Sequence, residues 1–139
     1  MADFQTRPIV TNAARAAISS MINTGSPAIQ ISAFSVGTGG YSPVNPSVAQ
    51  PPSSSATALQ NEIFRSQSVS RVNVDQFTLA YVCQLNPGDA IGALGEVGLW
   101  ATYLTGSLQG QVFLFAYANF PMKSCTADDE MIFKLPIVI

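Results

Sequence analysis

Carboxylates and thiols are the side chains of this sequence equipped for chemistry, and they are few. Asp128, Asp129 and Glu130 stand side by side just after Cys125, the other cysteine is Cys83, and there is no histidine. Without imidazole there is no Ser-His or Cys-His nucleophile arrangement, and the commonest metal ligand is missing. Two cysteines alone cannot complete a four-ligand zinc site; with no secretion signal in MADFQTRPIV, they read as free, buried thiols. The adjacent acids lack the ligand spacing of a calcium loop and read as a solvated turn. The expectation is of no catalytic residue, no metal, no cofactor and no enzyme.

Glu96 is the carboxylate that stands out. The stretch GALGEVGLWATY, positions 92–103, places it among glycines and large apolar side chains. Neither these glycines nor GTGG at 37–40 has the form of a phosphate loop or a dinucleotide fingerprint. Glycine in a strand marks a bulge or a close approach of backbone instead. Phe113, Phe115 and Tyr117 alternate along one strand, but Val112, Leu114 and Ala116 between them are apolar too, so these rings read as core and not as a stacking platform.

Charged residues make up only 10% of the 139, against about 25% in an ordinary soluble domain. The hydrophobic share, 47%, is ordinary, so surface charge has been exchanged for Ser, Thr, Asn and Gln. Interface cores are depleted in charge and free monomers rely on it for solubility, which points to a subunit of a larger assembly. The net charge of −2, with six scattered Lys and Arg, gives no field to attract nucleic acid. No apolar run reaches the ~18 residues of a membrane span, so no membrane insertion is expected.

The elements that must position Glu96 follow from periodicity. TNAARAAISSMINTG reads as a helix capped by Thr11 or Asn12, with Ala14, Ala17, Ile18, Met21 and Ile22 on one face and Gly25 and Pro27 to stop it. AIQISAFSVG reads as a strand whose apolar phase shifts at Phe34 and Val36, the mark of a bulge or of a switch of sheet face. Residues 37–56 form a long Gly/Pro/Ser-rich loop, poor in large apolar groups and expected to be ordered by a neighbouring chain. TALQNEIFR has capping-box spacing, Thr57 to Gln60, and reads as a second short helix. Strands follow in SVSRVNVD, QFTLAYVCQL, EVGLWATYL, QVFLFAYANF and MIFKLPIVI, separated by turns. The fold class expected is α+β: one domain over 1–139, an antiparallel sheet or sandwich of about five to seven strands, with the two helices beside it.

Three segments in this order carry a family likeness: TNAARAAISSMINTG, TALQNEIFR, and GEVGLW leading into FAYANFP. The chain resembles the N-terminal, baseplate-attaching domain of bacteriophage tail-collar fibre proteins. Thr11, Asn12 and Ala13 match the family's helix start, Gly37, Thr38 and Gly39 its glycine turn, and Thr57 to Arg65 its second helix. Glu96 to Trp100 match its key strand and Ala118 to Pro121 its closing strand. Ala14 departs from the family's glycine, and the sequence ends at Ile139 where family members continue into a fibrous shaft. The resemblance implies a structural virion protein of a phage tail, assembled in the host cytoplasm, that docks tail fibres to the baseplate. It implies partners among other tail, baseplate or fibre proteins, and a homotrimer or higher assembly. The alternative is a small lectin-like sandwich binding host glycans through exposed aromatics such as Trp100, Tyr103 and Tyr41.

Two sets of site residues follow. A buried carboxylate is costly unless paired, and Arg65, at the end of the expected second helix, is the expected partner of Glu96 in an ion pair tying helix to sheet. Candidates for the docking interface are Tyr41, Pro43, Pro46, Pro51, Pro52, Trp100, Tyr103, Pro136 and Val138. Pro136 lacks a ladder donor and Val138 opposes the core-facing Ile137 and Ile139, so the last strand is expected to be an edge covered by a partner.

Overall fold

A computed structural model describes residues 2–5, 7–73, 75–76 and 78–138, with backbone alone at 2–5, 73 and 138. The fold is an α+β sandwich. One sheet runs in the order β1 (Ala2–Gln5), β9 (Met131–Val138), β6 (Thr78–Leu85), β5 (Val69–Asn73). The other runs β2 (Ile9–Val10), β8 (Val112–Cys125), β7 (Gly92–Tyr103), β3 (Ile29–Gly37), β4 (Glu62–Ser66). Every pairing is antiparallel except β1 on β9. The inner faces meet in a core built on Phe34, Val36, Leu94, Val97, Leu99 and Phe120 from one sheet and Cys83, Leu85, Phe133 and Leu135 from the other.

Helix α1 (Asn12–Thr24) forms where the sequence indicates. Thr11 is its N-cap, accepting the Ala14 N–H at 3.2 Å, and its own hydroxyl donates to the Leu114 carbonyl at 2.6 Å. Gly25 ends it in the left-handed region at φ 80°, where a residue without Cβ is favoured. The small Ala14 and Ala17 let the helix come close to Ala101 and Phe113. The expected apolar face is narrower than its spacing suggests. Ile18 and Met21 are half-buried, and Ile22 is 81% exposed.

Bulges decide which side chains face which layer. The phase shift in β3 is a bulge between Ile31 and Ala33, so that Ile31, Phe34 and Val36 face the core while Ala33 and Ser35 turn away. Against β7, the register of β8 slips between Leu99 and Trp100. Phe113 and Phe115 therefore join the inner face with Ala116, Ala118 and Phe120, and Leu114 and Tyr117 go to the outer one. This accounts for a strand apolar on both faces, since both are covered.

Two expectations about elements are corrected. TALQNEIFR forms no helix: residues 57–61 are irregular chain and Glu62–Ser66 is β4, paired with β3 through Phe34↔Ser66, Ser35↔Arg65 and Val36↔Phe64. The Gln60 side chain does not close a capping box; it accepts the Gly40 N–H and donates to Gln50. Nor is the last strand an edge along its length. Over Met131–Lys134 it lies between β1 and β6, and only beyond Lys134, where Pro136 sits opposite Ala80, does β6 alone flank it. The expectations for the Val138 side chain and for Ile139 fall outside the described residues.

Candidate functional site

The outer face of the five-stranded sheet is covered by the protein's own chain. The segment from Thr38 to Asn61 folds back over it as a third layer, and Leu59, with Ala56 beside it, packs on Ala33, Trp100, Leu114 and Tyr117 in a second small core. Its polar groups attach it as well. Tyr117 donates its hydroxyl to the Ser53 carbonyl at 3.1 Å, and the Asn119 amide donates to the Gln50 carbonyl at 3.1 Å. The Met122 N–H donates to the Pro46 carbonyl at 2.9 Å and the Asn12 N–H to that of Ser54 at 2.7 Å. Because β2 pairs with β8 only at Tyr117 and Ala116, the Met122–Pro46 bond takes up a backbone donor on a strand edge that would otherwise be open there. The expectation that a neighbouring chain orders the loop is corrected: the protein's own sheet orders it.

Glu96 is the centre of this attachment. Its side chain is 0% exposed and projects from β7 under the loop. Oε1 accepts the Gln60 N–H at 2.8 Å; Oε2 accepts the Asn61 N–H at 2.8 Å and the Gly39 N–H at 3.0 Å. All three donors are backbone amides of irregular chain, which need partners once buried. Hydrogen bonds to an ionised acceptor are the strong kind, and several amides on one carboxylate spread its charge.

The glycines make room for this cradle. A Cβ at Gly37 would fall on Glu96 Oε2 and on the Asn61 carbonyl, and one at Gly95 would fall on the Tyr41 ring and the Gly39 carbonyl. Gly40 combines a φ of 87° with a close approach to the Gly95 carbonyl. GTGG and GALGEVG are therefore two halves of one contact between loop and strand.

The expected ion pair between Glu96 and Arg65 does not form. Arg65 pairs instead with Glu62 in a two-pronged contact, Nε to Oε2 at 3.0 Å and Nη2 to Oε1 at 2.8 Å. Its guanidinium carbon lies 3.9 Å from the centroid of the Trp100 ring. The physical reason is the strand at Glu62–Ser66, which lays Arg65 on the outer surface while the preceding amides reach Glu96 first. Beneath Arg65, Trp100 is 7% exposed and donates Nε1–H to the Ser35 hydroxyl at 2.7 Å. Trp100 is therefore neither the interface residue nor the sugar platform expected of it. Tyr103 is half-buried with its ring centroid 4.6 Å from that of Phe113, and Tyr41 is half-buried against Gly95.

Other expected interface positions are on the surface. Pro43, Pro46, Pro51 and Pro52 are exposed, and Val44 beside them is 93% exposed. With Val48 and Met122 they give the loop tip an uncharged surface on which apolar side chains alternate with the exposed Asn45 and Ser47.

Neither cysteine has the setting of a nucleophile. Both are free and buried, and burial pushes the Cys83 thiol up to about 12. The Cys125 thiol is raised too, by burial and then by the Asp129 carboxylate. Asp129 itself closes a turn, accepting the Thr126 N–H at 2.8 Å. Among the described residues no three His, Cys, Asp or Glu side chains are grouped to hold a metal ion, and no helix is long and apolar enough to cross a membrane.

Comparison with known proteins finds no matching family profile and no matching curated sequence.

Proposed function

We propose that the protein is a structural component of a phage tail, a baseplate or fibre-base element that docks tail fibres, in a homotrimer or higher assembly formed in the host cytoplasm. The observation that carries the reading is where the resembling motifs meet. Gly37 and Gly39, Gln60 and Asn61, and Glu96 come from three separate motifs and converge on one sealed carboxylate cradle. Every hydrogen bond of that cradle holds chain to chain, and a carboxylate with 0% exposure has no face for a substrate. The loop that the cradle holds presents the Val44–Val48 tip with Met122, uncharged and rich in exposed apolar side chains, and depletion of charge is a mark of interface cores. The glycan reading loses its chief aromatic with the burial of Trp100.

The test is to locate the protein in particles from the phage or prophage whose genome encodes it. Immunogold label is expected at the distal end of the tail, and an amber mutant is expected to yield tails without attached fibres. Particles free of the protein, or mutant particles with full fibres, would overturn the proposal.

A further inference from the structure

A groove of about 490 Å³ opens between α1 and the inner faces of the two sheets, within the range of about 300–1,000 Å³ usual for ligand sites. Its walls include Ile18, Met21, Ile31, Leu79 and Phe115, and Arg71 also lines it. The position of Arg71 follows from register. Val69 stands opposite Cys83 and Arg71 opposite Tyr81. Cys83 is fully buried in the core, and Val69 and Tyr81 pack against that core. Residues directly opposite in an antiparallel pair share a face, as do residues two apart, so Arg71 lies on the sheet face that lines the groove while remaining exposed to solvent.

An inward-pointing charge on an edge strand discourages edge-to-edge pairing, but that purpose requires no groove beside it. Here the guanidinium borders a groove whose lining is part apolar and part polar, and among the described residues no carboxylate pairs with it or lines the groove. Arg65, by contrast, has Glu62. The other polar groups at the rim are the Gln30 amide and the Tyr81 phenol. Burial raises the phenol above its ordinary value, with Arg71 partly offsetting the rise, so at neutral pH it is a neutral hydrogen-bond donor.

One cation, apolar side chains beside it and no lining anion among the described residues describe the complement of an amphiphilic monoanion. We infer that this groove binds a small amphiphilic carboxylate, its alkyl or aryl part between α1 and the sheets and its carboxylate on Arg71 with Tyr81. This inference does not depend on the tail reading.

Sodium decanoate below its micellar concentration is the probe, with decanol and acetate as controls, followed by calorimetry and by methyl NMR shifts of Ile18, Ile31 and Leu79. Decanoate is expected to bind saturably at one site and to shift those methyls, with decanol and acetate weaker. Loss of a charged hydrogen bond corresponds to a weakening of about tenfold or more, so Arg71→Gln should bring decanoate down to the level of decanol. Ile18→Trp, on the half-buried face of the helix, should block both at an unchanged melting temperature. Absence of saturable binding to the wild-type protein, or binding that neither variant weakens, would overturn the assignment.

Discussion

The Glu96 carboxylate accepts the backbone N–H of Asn61 at 2.8 Å, across 35 positions of sequence. With the Gln60 and Gly39 amides it closes the loop onto β7. Glu96→Gln keeps the shape but puts an amide N–H₂ against backbone N–H groups. The variant should lose roughly 2–4 kcal/mol, the cost of stranding buried donors, read as a lower urea midpoint at an unchanged slope. Arg65→Ala should cost about 1 kcal/mol or less, as exposed ion pairs and cation–π contacts do, and a double-mutant cycle between positions 65 and 96 should show no ion-pair coupling.

Gly95→Ala should destabilise although alanine is a small, apolar residue. The added methyl would meet the Tyr41 ring and the Gly39 carbonyl, the latter backbone that cannot step aside. Overpacking of this kind costs about 1–3 kcal/mol, and Tyr41→Ala in the same chain should recover only the part owed to the ring. Thermal melts of the two variants and their combination measure this.

Much of this arrangement was legible, and what was not has a common cause. The helix and strands β5 to β9 follow from local periodicity and turn residues, and even the bulge in β3 shows as a phase shift at Phe34 and Val36. The misreadings lie where the deciding partner is distant in sequence. TALQNEIFR has the spacing of a helix, yet its Gln60 and Asn61 amides are bound by Glu96 and its Ile63-Phe64 stretch joins β3. The partners of Glu96 are invisible in the sequence because a backbone amide has no letter of its own. The available signal was the glycines at 37, 39, 40 and 95, which mark a close approach of two backbones without saying which two.

Removing residues 46–52 should destabilise the fold, where a dispensable surface loop would tolerate it for tenths of a kcal/mol to about 1 kcal/mol. The deletion takes away the partners of the Met122 N–H and the Asn119 amide and bares the β8 edge. A loss of about 2 kcal/mol or more is expected from stranding these groups, with greater aggregation from the exposed edge. Val44→Ser with Val48→Ser should leave stability within about 0.5 kcal/mol, so any assembly defect in that variant reports docking alone. Denaturant curves separate the two cases.

The Cys83 thiol sets a limit on alkaline stability. An ordinary thiol at 9.0 ionises in the unfolded chain, whereas the buried one is held neutral to about 12. Between those values the unfolded state binds fewer protons than the folded one, so stability present at neutral pH is lost as pH rises. The slope is about 1.4 kcal/mol per pH unit, and it should be missing from Cys83→Ala when the two unfolding profiles are compared from pH 8 to 11. At pH 8 the native thiol should resist iodoacetamide until denaturant is added.

A carboxylate that three amides must reach together has a consequence in time. Amides of irregular surface chain ordinarily trade their hydrogens for deuterium within seconds to minutes, because small local openings suffice. Gly39, Gln60 and Asn61 cannot open one by one without leaving Glu96 buried and under-satisfied. Their exchange should therefore keep pace with that of the central strands β7 and β8, so that the slowest-labelling amides include three that belong to no helix and no strand.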